Sequence, residues 1–149
     1  MLIDQIADDL KTAMRAGDQV RVSVLRLVRA AIKNAEVAQG KHIDEAGVLT
    51  VFAREIRQRR ESIEEFKKGN RGDLVAKEEA ELVVLLSYLP QQLSREEIGA
   101  AARIVMAQVG ATGPGDKGKV MQLLMAELRG KAEGREINEV VTELLAAHA

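Results

Sequence analysis

The chain has no cysteine and no tryptophan, and only two prolines, two phenylalanines and one tyrosine among 149 residues. Without cysteine, disulfide bonds, thiolate catalysis and cysteine-ligated zinc are excluded. Strand-rich sandwiches and barrels need aromatic and β-branched runs with frequent turns, which this sequence does not offer. What remains is 46% hydrophobic and 30% charged, and it is rich in helix-forming residues. The composition therefore predicts an all-α fold.

Neither a predominant charge nor a long apolar run is present. The formal net charge is −1, so any nucleic-acid binding must come from a local patch. No stretch approaches the roughly 20 apolar residues that a membrane helix needs. The opening residues Met1 to Asp4 resemble neither a signal peptide nor a basic transit peptide. These features predict a cytoplasmic protein that does not associate with membranes.

Apolar residues recur at helical spacing in seven segments that are bounded by capping residues, glycine or proline. Asp18, Asp44 and Asp73 are placed to cap the second, third and fourth helices. Ser94 and Glu97 have the spacing of a capping box at the start of the fifth. The seven predicted helices cover residues 3–15, 19–39, 45–68, 74–89, 95–109, 117–128 and 136–147.

The segment Pro90-Gln91-Gln92-Leu93 is the best candidate for a domain boundary. We predict an N-terminal four-helix domain, residues 1–90, and a small C-terminal three-helix domain, residues 91–149. Charge does not distinguish the two, because the first carries 15 basic and 15 acidic residues and the second 7 and 8.

No combination of residues predicts a catalytic site, a metal site or a bound cofactor. The two histidines, His42 and His148, have no ligand partner at helical spacing. No serine stands in a Gly-x-Ser-x-Gly turn. Glu78, Glu79 and Glu81 cluster on the fourth helix, where we expect solvated surface carboxylates rather than tuned acids or bases.

A stripe of basic residues, Arg26, Arg29 and Lys33, lies at helical spacing on the second helix. It can follow phosphates, but a solvated face or a salt-bridged seam with the third helix explains it equally. On that third helix, Arg59 and its basic neighbours are expected to pair with glutamates on a wet surface. The scarcity of aromatic residues argues against base stacking, so RNA would be recognised by shape and phosphate, and DNA is not expected as a partner.

The glycine-rich segment from Gly113 to Lys119 precedes the sixth helix. A nucleotide-binding P-loop would need a preceding strand, and would have Ser or Thr where Val120 stands, so no such site is predicted. Uncovered backbone amides at a helix start, with lysines nearby, can contact an anion. A flexible loop between helices is the alternative.

Several motifs together resemble the GatB/YqeY family, and in particular its stand-alone YqeY-like proteins. The resemblance covers essentially the whole chain, and it is the order and spacing of the motifs that make it specific. The motifs are an acidic first helix followed by Asp18, then Ser23-Val24-Leu25-Arg26, the stretch from Gly69 to Glu81, Tyr88-Leu89-Pro90-Gln91-Gln92-Leu93, Gly118-Lys119-Val120-Met121 and Gly130-Lys131-Ala132-Glu133-Gly134.

The resemblance implies a role linked to tRNA. In the larger relatives such a module is the tail of a subunit of the glutamine-dependent tRNA amidotransferase, a carbon–nitrogen ligase whose chemistry lies in other domains. It implies here a tRNA-binding or tRNA-linked adaptor without catalytic activity of its own. A module that docks on a translation-related protein is the alternative. The expected RNA-binding residues are Lys117, Lys119, Lys131 and Arg135 in the C-terminal domain, with Arg26, Arg29 and Lys33 in the N-terminal one.

Overall fold

The computed structural model describes residues 1–147, and all the regular secondary structure in these residues is helical. No strand occurs among these residues, so the predicted all-α fold is confirmed. None of the helices within them is long and apolar enough to cross a membrane. The α-helices are α1 (Leu2–Ala16), α2 (Gln19–Gln39), α3 (Glu45–Lys68), α4 (Gly72–Leu86), α5 (Arg95–Val109), α6 (Lys117–Glu127) and α7 (Gly134–Ala147), and a 3-10 helix, Pro114–Asp116, precedes α6.

Three helix starts use the side-chain caps that the sequence predicts. The carboxylates of Asp18 and Asp44 each accept a hydrogen bond from the backbone amide three residues further on. At α5, the Ser94 hydroxyl accepts from the Glu97 amide while the Glu97 carboxylate accepts from the Ser94 amide. Because these bonds satisfy amides that have no partner inside the helix, they fix where α2, α3 and α5 begin.

The start of α4 corrects the prediction that Asp73 caps it. The helix begins at Gly72, directly after Arg71, and Asp73 lies in its first turn. There the Asp73 carboxylate accepts two hydrogen bonds, of 3.2 and 3.1 Å, from the Arg71 guanidinium. Hydrogen bonding to Arg71 lowers the pKa of Asp73, and a carboxylate in a first turn also suits the positive end of the helix dipole.

The end of α4 also differs from the prediction. The helix stops at Leu86, three residues before the predicted end at Leu89. The Ser87 hydroxyl donates a 2.6 Å hydrogen bond to the carbonyl oxygen of Val84. A serine that bonds back to the preceding turn competes with continued helix, so the chain leaves α4 before it reaches Pro90.

The chain folds into two compact units, the first covering residues 1–89 and the second beginning at Pro90. Each unit has a hydrophobic core of its own. The core of the first unit, built by α1 to α4, includes Ile6, Leu25, Val28, Phe52, Ile56 and Leu85. The core of the second unit, built by α5 to α7, includes Ile98, Ala102, Val120, Leu124, Ile137 and Leu145.

Candidate nucleic-acid interface

The basic stripe on α2 faces away from the buried side of that helix. Arg26, Arg29 and Lys33 are all exposed, whereas the residues that α2 buries, among them Leu25 and Val28, point into the core. Within residues 1–147, none of the three basic side chains forms an ion pair. The salt-bridged seam with α3 that the sequence left open is therefore not formed among these residues. We call these three residues the α2 basic row.

Along α2 itself, no acidic residue lies within the stretch that carries the α2 basic row. Between Asp18 and Glu36 the sequence contains no acidic residue at all. The fourth cation of this stretch, Arg21, is already engaged, because its guanidinium lies 3.8 Å from an Asp18 carboxylate oxygen. At about 1.5 Å of rise per residue the row extends roughly 10 Å along the helix. The absence of acidic residues from this stretch can be read from the sequence. It indicates that the α2 basic row is less neutralised than the predicted basic residues of the C-terminal domain.

The C-terminal basic residues are not gathered into one cluster. Lys117 and Lys119 lie in the first turn of α6, whereas Lys131 follows the end of α6 and Arg135 lies at the start of α7. Since α6 has 11 residues, its two ends are about 16 Å apart. A single phosphate therefore cannot contact all four side chains.

Two of these four cations are paired with acids of their own unit. The Lys119 Nζ lies 3.8 Å from an Asp116 carboxylate oxygen, and the Arg135 Nε lies 3.6 Å from a Glu139 carboxylate oxygen. The same Glu139 side chain is also held at 3.1 Å by the guanidinium of Arg95. Exposed pairs of this kind are weak, but each lowers the positive charge that the region presents to a ligand.

The other two, Lys117 and Lys131, form no ion pair within the described residues. Lys117 is half-buried at the start of α6, and Lys131 is exposed. The backbone of Lys131 also makes a structural contact, in which its carbonyl oxygen accepts a 2.8 Å hydrogen bond from the amide of Leu93. This bond ties the segment before α5 to the turn after α6.

The glycine-rich segment before α6 already contains an anion from its own chain. A carboxylate oxygen of Asp116 accepts a 2.9 Å hydrogen bond from the backbone amide of Thr112. Hydrogen bonding to Thr112 lowers the pKa of Asp116, so the group stays ionised. The Asp116 amide in turn donates to the carbonyl oxygen of Gly113 at 3.0 Å, which closes the loop. The carboxylate thus binds the amide directly before the glycine-rich segment and places a negative charge next to the start of α6, where an external phosphate would lie.

A buried charged group on α3 and α4 corrects two predictions of solvated side chains. Arg59 and Glu81 are each only 7% exposed. The Arg59 Nη1 donates a 2.9 Å hydrogen bond to Glu55, and its Nε lies 3.5 Å from a Glu81 carboxylate oxygen. That Nε makes no hydrogen bond, so its contact with Glu81 is electrostatic only. The spacing of residues along α3 does not predict this buried group, because the burial results from α4 packing over the charged side of α3. No local pattern on α3 indicates that packing.

The histidines do not assemble with other ligands. His42 is exposed, and its Nδ1 lies 2.9 Å from a Glu36 carboxylate oxygen. Hydrogen bonding to His42 lowers the pKa of Glu36. The other histidine, His148, lies outside the described residues. Within residues 1–147, no three side chains of the His, Asp or Glu type come together as a metal site would require.

Fold and surface together define the class of this protein. It is an all-helical protein built from two small units, with an exposed basic helix face as its principal candidate site. A family model described as Yqey-like protein matches residues 3–145. The chain belongs to this YqeY-like family.

Three curated relatives carry the name "Altered inheritance of mitochondria protein 41, mitochondrial". The Lachancea thermotolerans protein is 39% identical over 118 residues, covering 75% of this chain and 63% of the relative. The Saccharomyces cerevisiae protein is 39% identical over 90 residues, covering 60% and 49%. The Kluyveromyces lactis protein is 40% identical over 119 residues, covering 75% and 64%. The matched part of this chain thus spans between about half and two thirds of these relatives.

The names of these relatives contradict the predicted compartment. All three are mitochondrial proteins by name, whereas the opening residues and the apolar pattern led to the prediction of a cytoplasmic protein. That prediction was wrong because it took the absence of a targeting pattern as evidence for a compartment.

Proposed function

We propose that this chain is a tRNA-binding adaptor without catalytic activity of its own, and that the α2 basic row contacts the phosphates of the RNA. The observation that carries the proposal is the row itself, three exposed cations without ion pairs among the described residues, in a stretch that contains no acid. Phosphate contacts by Arg and Lys position a nucleic acid without reading its bases. That mode fits a surface with so few aromatic residues.

The link to tRNA in particular comes from the family resemblance. In the larger relatives the corresponding module is the tail of a glutamine-dependent tRNA amidotransferase subunit, and the chemistry of that enzyme lies in other domains. We place the main phosphate contacts on α2 rather than on the C-terminal unit because Lys119 and Arg135 are paired with Asp116 and Glu139. The C-terminal lysines then make secondary contacts.

Binding of a tRNA transcript over a series of salt concentrations tests the proposal. The triple variant Arg26→Gln, Arg29→Gln, Lys33→Gln should bind roughly tenfold to a hundredfold more weakly at moderate salt, because up to three phosphate contacts are lost. The slope of log affinity against log salt should fall by about one for each contact that is lost. A DNA duplex of similar length serves as the competing ligand.

A matched control separates the α2 basic row from a general effect of net charge. Arg54, Arg57 and Lys77 are exposed residues of the same unit. Their replacement by Gln removes the same three charges from other positions on the surface. Equal weakening by the two triple variants, or a wild-type protein that fails to bind tRNA at low salt, would contradict the proposal.

A module that docks on a translation-related protein is the second candidate function. Exposed apolar side chains near the junction of α1 and α2, Met14 and Leu27 among them, favour it. Co-purification with and without ribonuclease distinguishes the two candidates. A partner that is lost on ribonuclease treatment depends on RNA, whereas a retained partner binds the protein directly.

A further inference from the structure

An open groove runs between the end of α1 and the first half of α2. Its volume is about 590 Å³, and seven residues line it. Met14, Val22 and Leu27 are its large apolar side chains, which we call the apolar floor, and Arg26 is the one charged residue of the lining. The groove therefore combines an apolar floor with a single cation.

The apolar floor is unusually accessible. Met14 is 53% exposed and Leu27 is 48% exposed, although both are large hydrophobic side chains. Single exposed apolar residues are common, but here two of them line one groove, next to Arg26. The unbranched methionine suits such a surface because it can repack around different apolar groups.

Charge beside the groove selects the kind of partner. Arg26 belongs both to the groove lining and to the α2 basic row, and Arg29 and Lys33 continue the same exposed face for about two helical turns. No acidic residue lies between Asp18 and Glu36 to oppose them. A ligand that covers both groove and row must therefore carry apolar groups next to negative charge.

We propose that this groove binds a partner protein through an acidic amphipathic helix. Leucine-like side chains on one face of that helix pack over Met14 and Leu27, and carboxylates beside them pair with the α2 basic row. A helix of three to four turns, about 16 Å to 22 Å long, is sufficient to cover both. RNA fits the floor less well, since the groove lining holds no aromatic ring on which a base can stack.

This inference rests on the second candidate function, docking on another protein, and the groove would be the contact surface for that partner. The inference does not depend on RNA binding. The probe is a synthetic helical peptide of about 16 residues, with leucines at helical spacing on one face and glutamates beside them. A second peptide replaces each glutamate by lysine, and a third scrambles the sequence so that the apolar face is lost. Binding to the full-length protein is followed by fluorescence anisotropy.

The acidic amphipathic peptide should bind at least about tenfold more tightly than the lysine peptide or the scrambled one. The double variant Met14→Ser, Leu27→Ser should weaken its binding by about tenfold or more, because it removes the apolar floor and leaves every charge in place. The same variant should keep its affinity for tRNA within about twofold, since no phosphate contact changes.

The matched control is the double variant Val37→Ser, Val83→Ser. It removes two exposed hydrophobic residues that lie outside the groove and leaves the charge unchanged. Its peptide affinity should stay within about twofold of the wild type. Circular dichroism of all variants verifies that the helices are retained.

Several outcomes would overturn the inference. They are equal binding of the glutamate and lysine peptides, no binding of the acidic peptide at about 1 mM, and equal weakening by the groove variant and its control. Weaker tRNA binding by the groove variant would assign the groove to RNA. A dimer of the wild type that the groove variant abolishes would assign it to a second copy of the chain. Each of these two results also overturns the inference, and neither requires that the α2 basic row be abandoned as an RNA site.

Discussion

The hydroxyl of Tyr88 donates a 2.6 Å hydrogen bond to a carboxylate oxygen of Asp9, which joins the turn after α4 to α1. The Arg21 guanidinium on α2 donates to the same phenol oxygen at 3.4 Å. The ring of Phe52, on α3, lies 5.7 Å from the Tyr88 ring, measured between centroids. One side chain thus contacts three other helices of the first unit, and we expect it to contribute to the stability of that unit.

Titration of Tyr88 should show this contact directly. Burial, reinforced by the hydrogen bond to Asp9, raises the pKa of Tyr88 to about 12. Since this is the one tyrosine of the chain and there is no tryptophan, the tyrosinate absorbance reports on it alone. Asp9→Asn should lower the pKa but keep it above the usual value of 10.0, because burial is the larger cause. A wild-type midpoint near 10 would contradict the structure.

The same shift predicts how stability depends on alkaline pH. Because the pKa of Tyr88 is raised in the folded state, its contribution is complete below pH 10 and is lost as the pH rises towards about 12. Tyr88→Phe should lower the free energy of unfolding by about 1–2 kcal/mol near neutral pH. The difference between wild type and variant should shrink over the alkaline interval. A difference that does not change with pH would contradict the raised pKa of Tyr88 in the folded state.

Arg59→Ala should strongly destabilise the first unit. The substitution leaves Glu55 and Glu81 without the cation that lies 2.9 and 3.5 Å from them. Removing one partner from a buried ion pair typically costs about 3–5 kcal/mol, and we expect the lower end because Arg59 Nε makes no hydrogen bond. Denaturant unfolding measures the loss. Arg57→Ala, an exposed arginine of the same helix, should change stability by less than about 0.5 kcal/mol.

Local patterns account for much of the fold. The bounds of α2, α3 and α5 agree with the prediction residue for residue. A side chain caps the start of each of these helices, and a glycine directly follows the end of each. At α4 no side chain caps the start. The helix ends where the Ser87 hydroxyl donates a hydrogen bond back to the preceding turn. The sequence therefore predicts both bounds of α4 less well than those of α2, α3 and α5.

The candidate site was predictable only in part. The spacing of Arg26, Arg29 and Lys33 indicated a common face, and the structure places all three on an exposed one. The burial of Arg59 depends on the packing of α4 against α3, and the occupation of the glycine-rich loop depends on where the Asp116 carboxylate points. Both are tertiary features, so neither could be inferred from residue spacing.

Leu124→Ala tests whether each core supports its own unit. Leu124 is fully buried in the core of the second unit, and truncation of a buried leucine costs about 2–5 kcal/mol. Far-ultraviolet circular dichroism observes all helices, whereas the Tyr88 signal reports only on the first unit. We expect an earlier loss of helix signal with little change in the midpoint of the tyrosine signal. If both signals shift equally, the two cores unfold as one cooperative structure.

The two predicted basic regions should differ in their importance for RNA. Lys119→Ala together with Lys131→Ala should weaken tRNA binding by no more than about threefold, because Lys119 is already paired with Asp116 and the two lysines lie at opposite ends of α6. Neutralising the α2 basic row should weaken it by at least about tenfold. Asp116→Asn provides the complementary test.

Asp116→Asn removes a negative charge and releases Lys119 from its ion pair. If the segment before α6 contributes phosphate contacts, this variant should bind tRNA more tightly than the wild type and show a steeper salt dependence. An unchanged affinity would leave α2 as the principal contact. A loss of affinity in Lys119→Ala, Lys131→Ala that equals the loss in the α2 variant would contradict the ranking, because it would show that the ion pair with Asp116 does not screen the lysine from RNA.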